Sequence, residues 1–136
     1  MENCIFCKIA NGEIPAATLY EDENFRVILD LGPASKGHAL ILPKSHAANI
    51  YELSDEMAAK AMILAKKMAT AMTAALKCDG FNIVQNNGEC AGQTVFHFHM
   101  HIIPRYKGDT VNIGWTPGKA DADEINELKE KIAAGL

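Results

Sequence analysis

The run His97-Phe98-His99-Met100-His101-Ile102-Ile103 places three of the chain's five histidines at every second position. Successive side chains of a β-strand point to opposite faces, so residues i, i+2 and i+4 share one face. The run therefore predicts a strand with three imidazoles in a row, about 6–7 Å apart, above an apolar underside of Phe, Met and Ile. Histidine is the side chain best suited to proton transfer and to metal ligation near neutral pH. A row of three has little structural motive, so this strand is where chemistry is expected.

The remaining sequence narrows what that strand can belong to. A length of 136 residues suits one domain, 1–136, with a single substantial core. The formal net charge is −4 and no block of basic residues occurs, which argues against nucleic acid as a partner while leaving room for a local phosphate site. No apolar run approaches the roughly 18 residues that would span a membrane. The opening Met-Glu-Asn-Cys lacks the basic-then-apolar order of a signal peptide, so the expected location is cytoplasmic. Cysteines stand at 4, 7, 78 and 90. Cys4 and Cys7 form a C-x-x-C that reads better as half a metal site than as a redox pair, because a thioredoxin-like motif would sit between a strand and a helix.

Along the chain, residues 4–11 suit one or two helical turns closed by Gly12. Leu19-Tyr20 and residues 25–29 read as strands joined by the acidic turn 21–24, and 37–43 as a strand ended by Pro43. Ser54 offers an N-cap, with Asp55 and Glu56 in the first turn, for a helix running to about Lys77. Its predicted apolar stripe is Met57, Ala61, Leu64, Met68, Met72 and Ala75, with Glu56 and Lys60 paired on its surface. A strand over 81–85 follows, then the polar loop 86–92, the histidine strand to about Tyr106, and a helix over 123–133. This order predicts an α+β fold, with an antiparallel sheet of about five strands, one long helix and a C-terminal helix.

Read from residues alone, the histidine row leaves two chemistries open. One is metal ligation, with a further Asp, Glu or His recruited nearby. The other is nucleophilic and acid–base catalysis, with one imidazole attacking and its neighbours orienting it. The loop before the row holds Gly88, Gly92, Gln93 and Thr94, which suits phosphate: glycines admit backbone N–H groups, and Gln and Thr add donors.

The same run resembles the histidine-triad pattern, His-φ-His-φ-His-φ-φ with φ apolar, that names the HIT family. Further pieces are similar to its bacterial Hint-like branch: Cys4-Ile5-Phe6-Cys7-Lys8-Ile9, Gly12-Glu13-Ile14-Pro15-Ala16, residues 37–44, and Gly92-Gln93-Thr94-Val95. The resemblance implies a HIT-like fold and a homodimer, for which the alanine- and methionine-rich helix offers a face. It implies a nucleotide hydrolase or transferase acting through a covalent nucleotidyl-histidine, with a purine nucleoside phosphoramidase that releases AMP as the leading reading. Dinucleoside polyphosphate hydrolysis, or regulatory nucleotide binding with incidental turnover, are the alternatives. By resemblance His99 attacks phosphorus, His101 assists at the phosphate, and His38 holds the His99 ring in its reactive tautomer. Gln93, Thr94 and Asn86 fall on the phosphate side, and Asp30 grips ribose hydroxyls. Cys4, Cys7, His46 and His97 match a structural zinc set. Four protein ligands fill a zinc shell, so no catalytic metal is expected. Because His97 shares the strand periodicity of His99, such a site must lie at the strand's end. Cys78 and Cys90 have no place in this scheme.

Overall fold

The computed structural model describes residues 3–136. A helix α1 (Ile5–Ala10) is followed by β1 (Thr18–Glu21), β2 (Phe25–Leu29) and β3 (Ala39–Pro43), the long helix α2 (Asp55–Leu76), β4 (Gly80–Val84), a 3-10 turn (Glu89–Ala91), β5 (Met100–Arg105) and α3 (Ala122–Ala133). All strand pairs are antiparallel, in the spatial order β1-β2-β3-β5-β4. This is the α+β arrangement expected from the sequence. The order itself was not: α2 carries the chain from β3 past a vacant place in the sheet, and β5 then fills it. No helix among the described residues is long and apolar enough to cross a membrane.

The period-two patterning decides which side of the sheet does what. Val27, Ala39, Ile41, Met100 and Ile102 face α2 and join Phe25 and Phe98 in the main core. The apolar residues between the histidines thus form the predicted underside. On the other face, Ile28, Leu40 and Leu42 pack beneath α1 with Ala10 and Phe6. That second face also carries His101, because Leu40 lies opposite it in the ladder.

Helix α2 begins where its signals place it, with the Ser54 hydroxyl accepting the Met57 N–H at 3.1 Å. Glu56 and Lys60 pair at 2.9 Å. Its buried stripe is Ala61, Leu64, Ala65, Met68 and Met72, with Met57 and Leu76 packed at its ends. Ala75 was expected on this stripe but is exposed. The step from Met72 to the core is four residues, to Leu76, as the 3.6-residue period requires. The helix stops at Lys77 in the left-handed region, φ 54°.

The histidine run departs from its predicted form at its start. β5 begins only at Met100, so His97 and His99 precede the strand. The Phe98 N–H bonds the Ala47 carbonyl at 2.6 Å instead of a ladder partner. At the other end, Arg105 grips Asp109 through two 2.8 Å contacts and reaches Asn82 on β4 at 2.8 Å. The guanidinium holds the Asp109 carboxyl well below the usual carboxylate range. The chain then runs through an exposed segment to α3, whose Ile125, Leu128 and Ile132 remain exposed.

Gly37, just before β3, has φ +90°, and a Cβ there would lie 2.5 Å from the Leu76 side chain. Gly37→Ala therefore meets both backbone strain and a clash at the foot of α2. It is expected to lower unfolding free energy by about 1–3 kcal/mol, read as a shifted urea midpoint.

Candidate functional site

His38 stands two residues before Leu40, so it is the diagonal neighbour of His101 on the same face of the β3–β5 pair. Their rings meet with His38 Nε2 2.9 Å from His101 Nδ1. The Ala34 N–H donates to His38 Nδ1 at 2.9 Å, so that nitrogen carries a lone pair and the neutral ring's proton sits on Nε2. His38 then donates to His101 Nδ1, which leaves the His101 proton on its own Nε2. His99 is fixed separately: its Nδ1 donates to the His97 carbonyl at 2.6 Å, since a carbonyl can only accept. The lone pair of His99 therefore lies on Nε2. The orienting role expected of His38 toward His99 falls instead to the His97 carbonyl, and His38 orients His101.

Burial keeps these rings uncharged. His38 is 5 % and His99 7 % exposed. Desolvation pushes both below the ordinary imidazole range, opposed at His38 by Asp30 and at His99 by the bond to His97. Burial, with His99 and His38 alongside, lowers His101 to about 4. The rings of His99 and His101 lie 5.0 Å apart, and Phe6 stands edge-on to His99 at 4.9 Å. The result is a neutral imidazole with its lone pair on Nε2 beside a neutral imidazole N–H donor.

Both rings line a cavity of about 420 Å³ whose other walls are largely apolar, including Phe6, Ile9, Ile14, Pro15 and Leu40. Asp30 follows β2 at the rim of this slot. Its Oδ1 accepts the Gly32 N–H at 2.9 Å, and Oδ2 lies 3.6 Å from His38 Nε2. Thr94 also lines the slot, and neither its amide nor its hydroxyl has a hydrogen-bond partner among the described residues.

The loop before the histidines is organised differently from the phosphate cradle suggested by its glycines. Gln93 is 2 % exposed and works on the loop itself. It donates to the carbonyls of Ala48 and Val95 at 2.7 and 3.1 Å, and accepts the Gly88 N–H at 2.8 Å. The amides of Ala91, Gly92 and Gln93 also bond within the loop, at 3.0–3.1 Å. Asn86 sits against Gly92 and lines a shallower cavity with His38 and His101. Trp115 and Ile113 of the exposed tail line it too. Nothing in the sequence periodicity marked these tail residues, because they follow a segment without regular structure.

A second constellation lies beyond the N-terminal end of β5. Cys4, Cys7, His46 and His97 bring their ligand atoms within 4.8 Å of one another. Cys4 Sγ and Cys7 Sγ lie 3.3 and 3.4 Å from His97 Nδ1, while His46 Nδ1 is 3.3 Å from both Cys7 Sγ and His97 Nδ1. A tetrahedral zinc with ordinary bond lengths separates its N and S donors by roughly 3.3–3.8 Å. His97 Nε2 donates to the Pro43 carbonyl at 2.9 Å, which frees the Nδ1 lone pair and fixes the ring. The residues present therefore fit a Cys₂His₂ metal centre. Cys78 is half-buried and Cys90 exposed, and both are apart from it.

Residues 11–108 match the HIT domain. The chain is 49% identical over 138 residues to the protein hit of Bacillus subtilis, covering 99% of this chain and 95% of that one. It is 43% identical to the adenosine 5'-monophosphoramidase of Schizosaccharomyces pombe, covering 98% of each. Among solved structures, a HIT family member from Bacillus subtilis superposes with a TM-score of 0.92 at 44% identity, over 98% of this chain and 97% of that chain. A Zn-bound histidine triad family protein from Mycobacterium smegmatis gives 0.78 at 38% identity, over 99% and 96%.

His101 should titrate near pH 4, against the ordinary value of 6.5, with its proton on Nε2 above that pH. Long-range ¹H–¹⁵N correlation spectra of the imidazoles read both properties. The unfolded chain takes up this proton below about 6.5 and the folded one only near 4, so this group's contribution to stability is complete above 6.5 and falls as pH drops toward 4.

Proposed function

Because this chain belongs to the histidine triad (HIT) family, we propose that it hydrolyses AMP joined to an amine, through a nucleotidyl-histidine intermediate. The observation that carries this reading is the tautomer arrangement, with a lone pair on His99 Nε2 and a proton on His101 Nε2 at one apolar slot. The slot suits a purine, with Asp30 placed to accept from ribose hydroxyls. The phosphamide then lies at the histidines. His99 Nε2 attacks the α-phosphorus and forms a P–N bond while the bond to the substrate amine breaks. The departing nitrogen takes a proton that the Thr94 hydroxyl relays from solvent, and that proton is returned to solvent when water attacks in the second step. Thr94, with its donors free, serves the phosphate and the departing nitrogen. Water then attacks the nucleotidyl-histidine, AMP leaves, and His99 is restored. His101 steadies the phosphoryl charge throughout, and His38 is its positioning residue.

The relative named adenosine 5'-monophosphoramidase supports the choice of substrate. So does the lining of the slot: no lysine or arginine side chain faces it among the described residues. A dinucleoside polyphosphate would expel an anionic chain there without a counter-charge.

The Cys4–Cys7–His46–His97 cluster is inferred to hold structural zinc, supported by its donor spacing and by the zinc-bound family member. Bound there, the metal would supply cross-linking between α1, the segment after β3 and the start of the histidine run. All four positions are filled by protein, so the chemistry stays with the imidazoles. Homodimer formation is inferred from the family. Most of the alanine and methionine stripe of α2 expected to offer its face packs into the core instead, and the apolar side chains left exposed include Met62 and Ile63 of α2 and Ile125, Leu128 and Ile132 of α3.

His99→Ala is expected to lower kcat on an AMP phosphoramidate by roughly 10⁴-fold or more and to abolish an AMP adduct that intact-protein mass spectrometry detects in the native chain. Tight nucleotide binding by the native chain without adduct or turnover would make it a regulatory binder. Separately, Cys7→Ser is expected to remove zinc, measured by elemental analysis, and to lower Tm by on the order of 10 °C.

A further inference from the structure

Residues 30–38 connect β2 to β3, and this loop closes where the Asp30 N–H donates to the His38 carbonyl at 2.9 Å. Its middle residues, Leu31, Gly32, Pro33 and Ala34, are all exposed. Yet one amide of this stretch, that of Ala34, reaches His38 Nδ1 at 2.9 Å and sets the tautomer of a buried ring. An exposed amide can bond water instead, so it needs holding against the ring. Two side chains supply the hold, and both ties run to β5, the strand that carries His101. The Ser35 hydroxyl donates to the Pro104 carbonyl at 2.5 Å, and the Tyr106 hydroxyl donates to the Lys36 carbonyl at 2.7 Å. β3 starts at Ala39, opposite Ile102, so the last residues of β5 have no strand partner on that edge. Ser35 and Tyr106 continue the junction where the ladder stops. Gly37 lets the loop lie against Pro104, whose Cγ would be 3.4 Å from a Cβ there.

What the loop decides is the direction of a two-ring hydrogen-bond chain. With the Ala34 N–H on Nδ1, His38 is protonated at Nε2 and donates to His101 Nδ1 at 2.9 Å, so His101 presents an N–H at its own Nε2. With that amide withdrawn, the reverse chain is bonded equally well: His101 Nδ1–H donates to His38 Nε2, and His101 Nε2 presents a lone pair, which repels a phosphoryl oxygen. Asp30 Oδ2 favours the native direction only from 3.6 Å, beyond hydrogen-bond length. We propose that Ser35 and Tyr106 are positioning residues of the imidazole pair: by clasping the loop to β5 they keep the Ala34 amide on His38 Nδ1, and so keep the proton of His101 on Nε2. The effect on turnover rests on the phosphoramidase reading above; the effect on the tautomers does not.

The test uses the full chain with Ser35→Ala, Tyr106→Phe and the double variant, each verified as folded by circular dichroism. Long-range ¹H–¹⁵N correlation spectra at neutral pH are expected to show single Nε2–H tautomers at His38 and His101 in the native protein. In the double variant both rings should become mixtures together, read as averaged ¹⁵N shifts, while His99, held by the His97 carbonyl, keeps its Nδ1–H. Ser35→Thr retains the hydroxyl and should retain the single tautomers. On an AMP phosphoramidate the double variant is expected to lose about two- to fivefold in kcat, the scale on which one hydrogen bond biases a tautomer. A clasp that only stabilised the fold would lower Tm and leave the tautomers as they are. Single Nε2–H tautomers at both rings of the folded double variant therefore overturn the proposal, as does a mixture already present in the native chain. If the double variant does not fold, the single variants decide: a joint shift of both rings in either one supports the clasp, and no shift in both overturns it. Should the native chain hydrolyse no phosphoramidate, the hydrolase reading fails while the spectra still decide the clasp.

Discussion

The register between β3 and β5 is the constraint on which this molecule depends. Leu40 lies opposite His101 and Ile41 opposite Met100, so the apolar members of the histidine run enter the core under α2 while His101 emerges on the other face beside His38. A slip of one residue would exchange these faces, setting an imidazole into the core and a methionine into the site. Core packing and site assembly are thus enforced by the same ladder. The clash that a side chain at Gly37 would make with Leu76 shows how tightly the entry to that ladder is held.

The imidazoles owe their chemical identities to the backbone. One sequence of ring contacts begins at the Ala34 amide and passes through His38 to His101. The other begins at the His97 carbonyl and sets His99. A hydrogen bond contributes about 1 kcal/mol net, and at that size one bond already biases a tautomer severalfold. Burial adds the complementary condition by keeping the rings neutral, since a protonated His99 would have no lone pair to offer. A backbone carbonyl holds the His99 ring, where a Ser-His-Asp triad uses an acid to orient its base.

Much of this was legible in the sequence. Alternation of His with Phe and Met located the two faces of the run, and Ser54 with its acidic first turn located α2. The spacing of Cys4 and Cys7 marked half of a metal centre, and the family resemblance supplied His46 and His97. What alternation did not mark is where the strand begins: β5 starts at Met100, because long-range ties replace the ladder before it, Phe98 bonding Ala47 and His97 bonding Pro43. The contacts of His38 and Gln93 were equally inaccessible. Which ring His38 meets depends on β5 filling the place between β3 and β4, and the loop-internal use of Gln93 depends on the chain passing Ala48. Such facts belong to strand order, which periodicity does not encode.

Helix α1 has only six residues, too few to persist through its own hydrogen bonds. Yet Phe6 from this helix leans on His99, while Cys4 at its cap and Cys7 within it belong to the metal cluster. One small element therefore contributes to both constellations. If a nucleoside rests on Phe6 and a metal is held by Cys4 and Cys7, as proposed above, each would favour the ordered helix and would raise the affinity of the other by the same factor. Metal supply and nucleotide supply would thereby be read together, as a thermodynamic conjunction written into a turn and a half of helix.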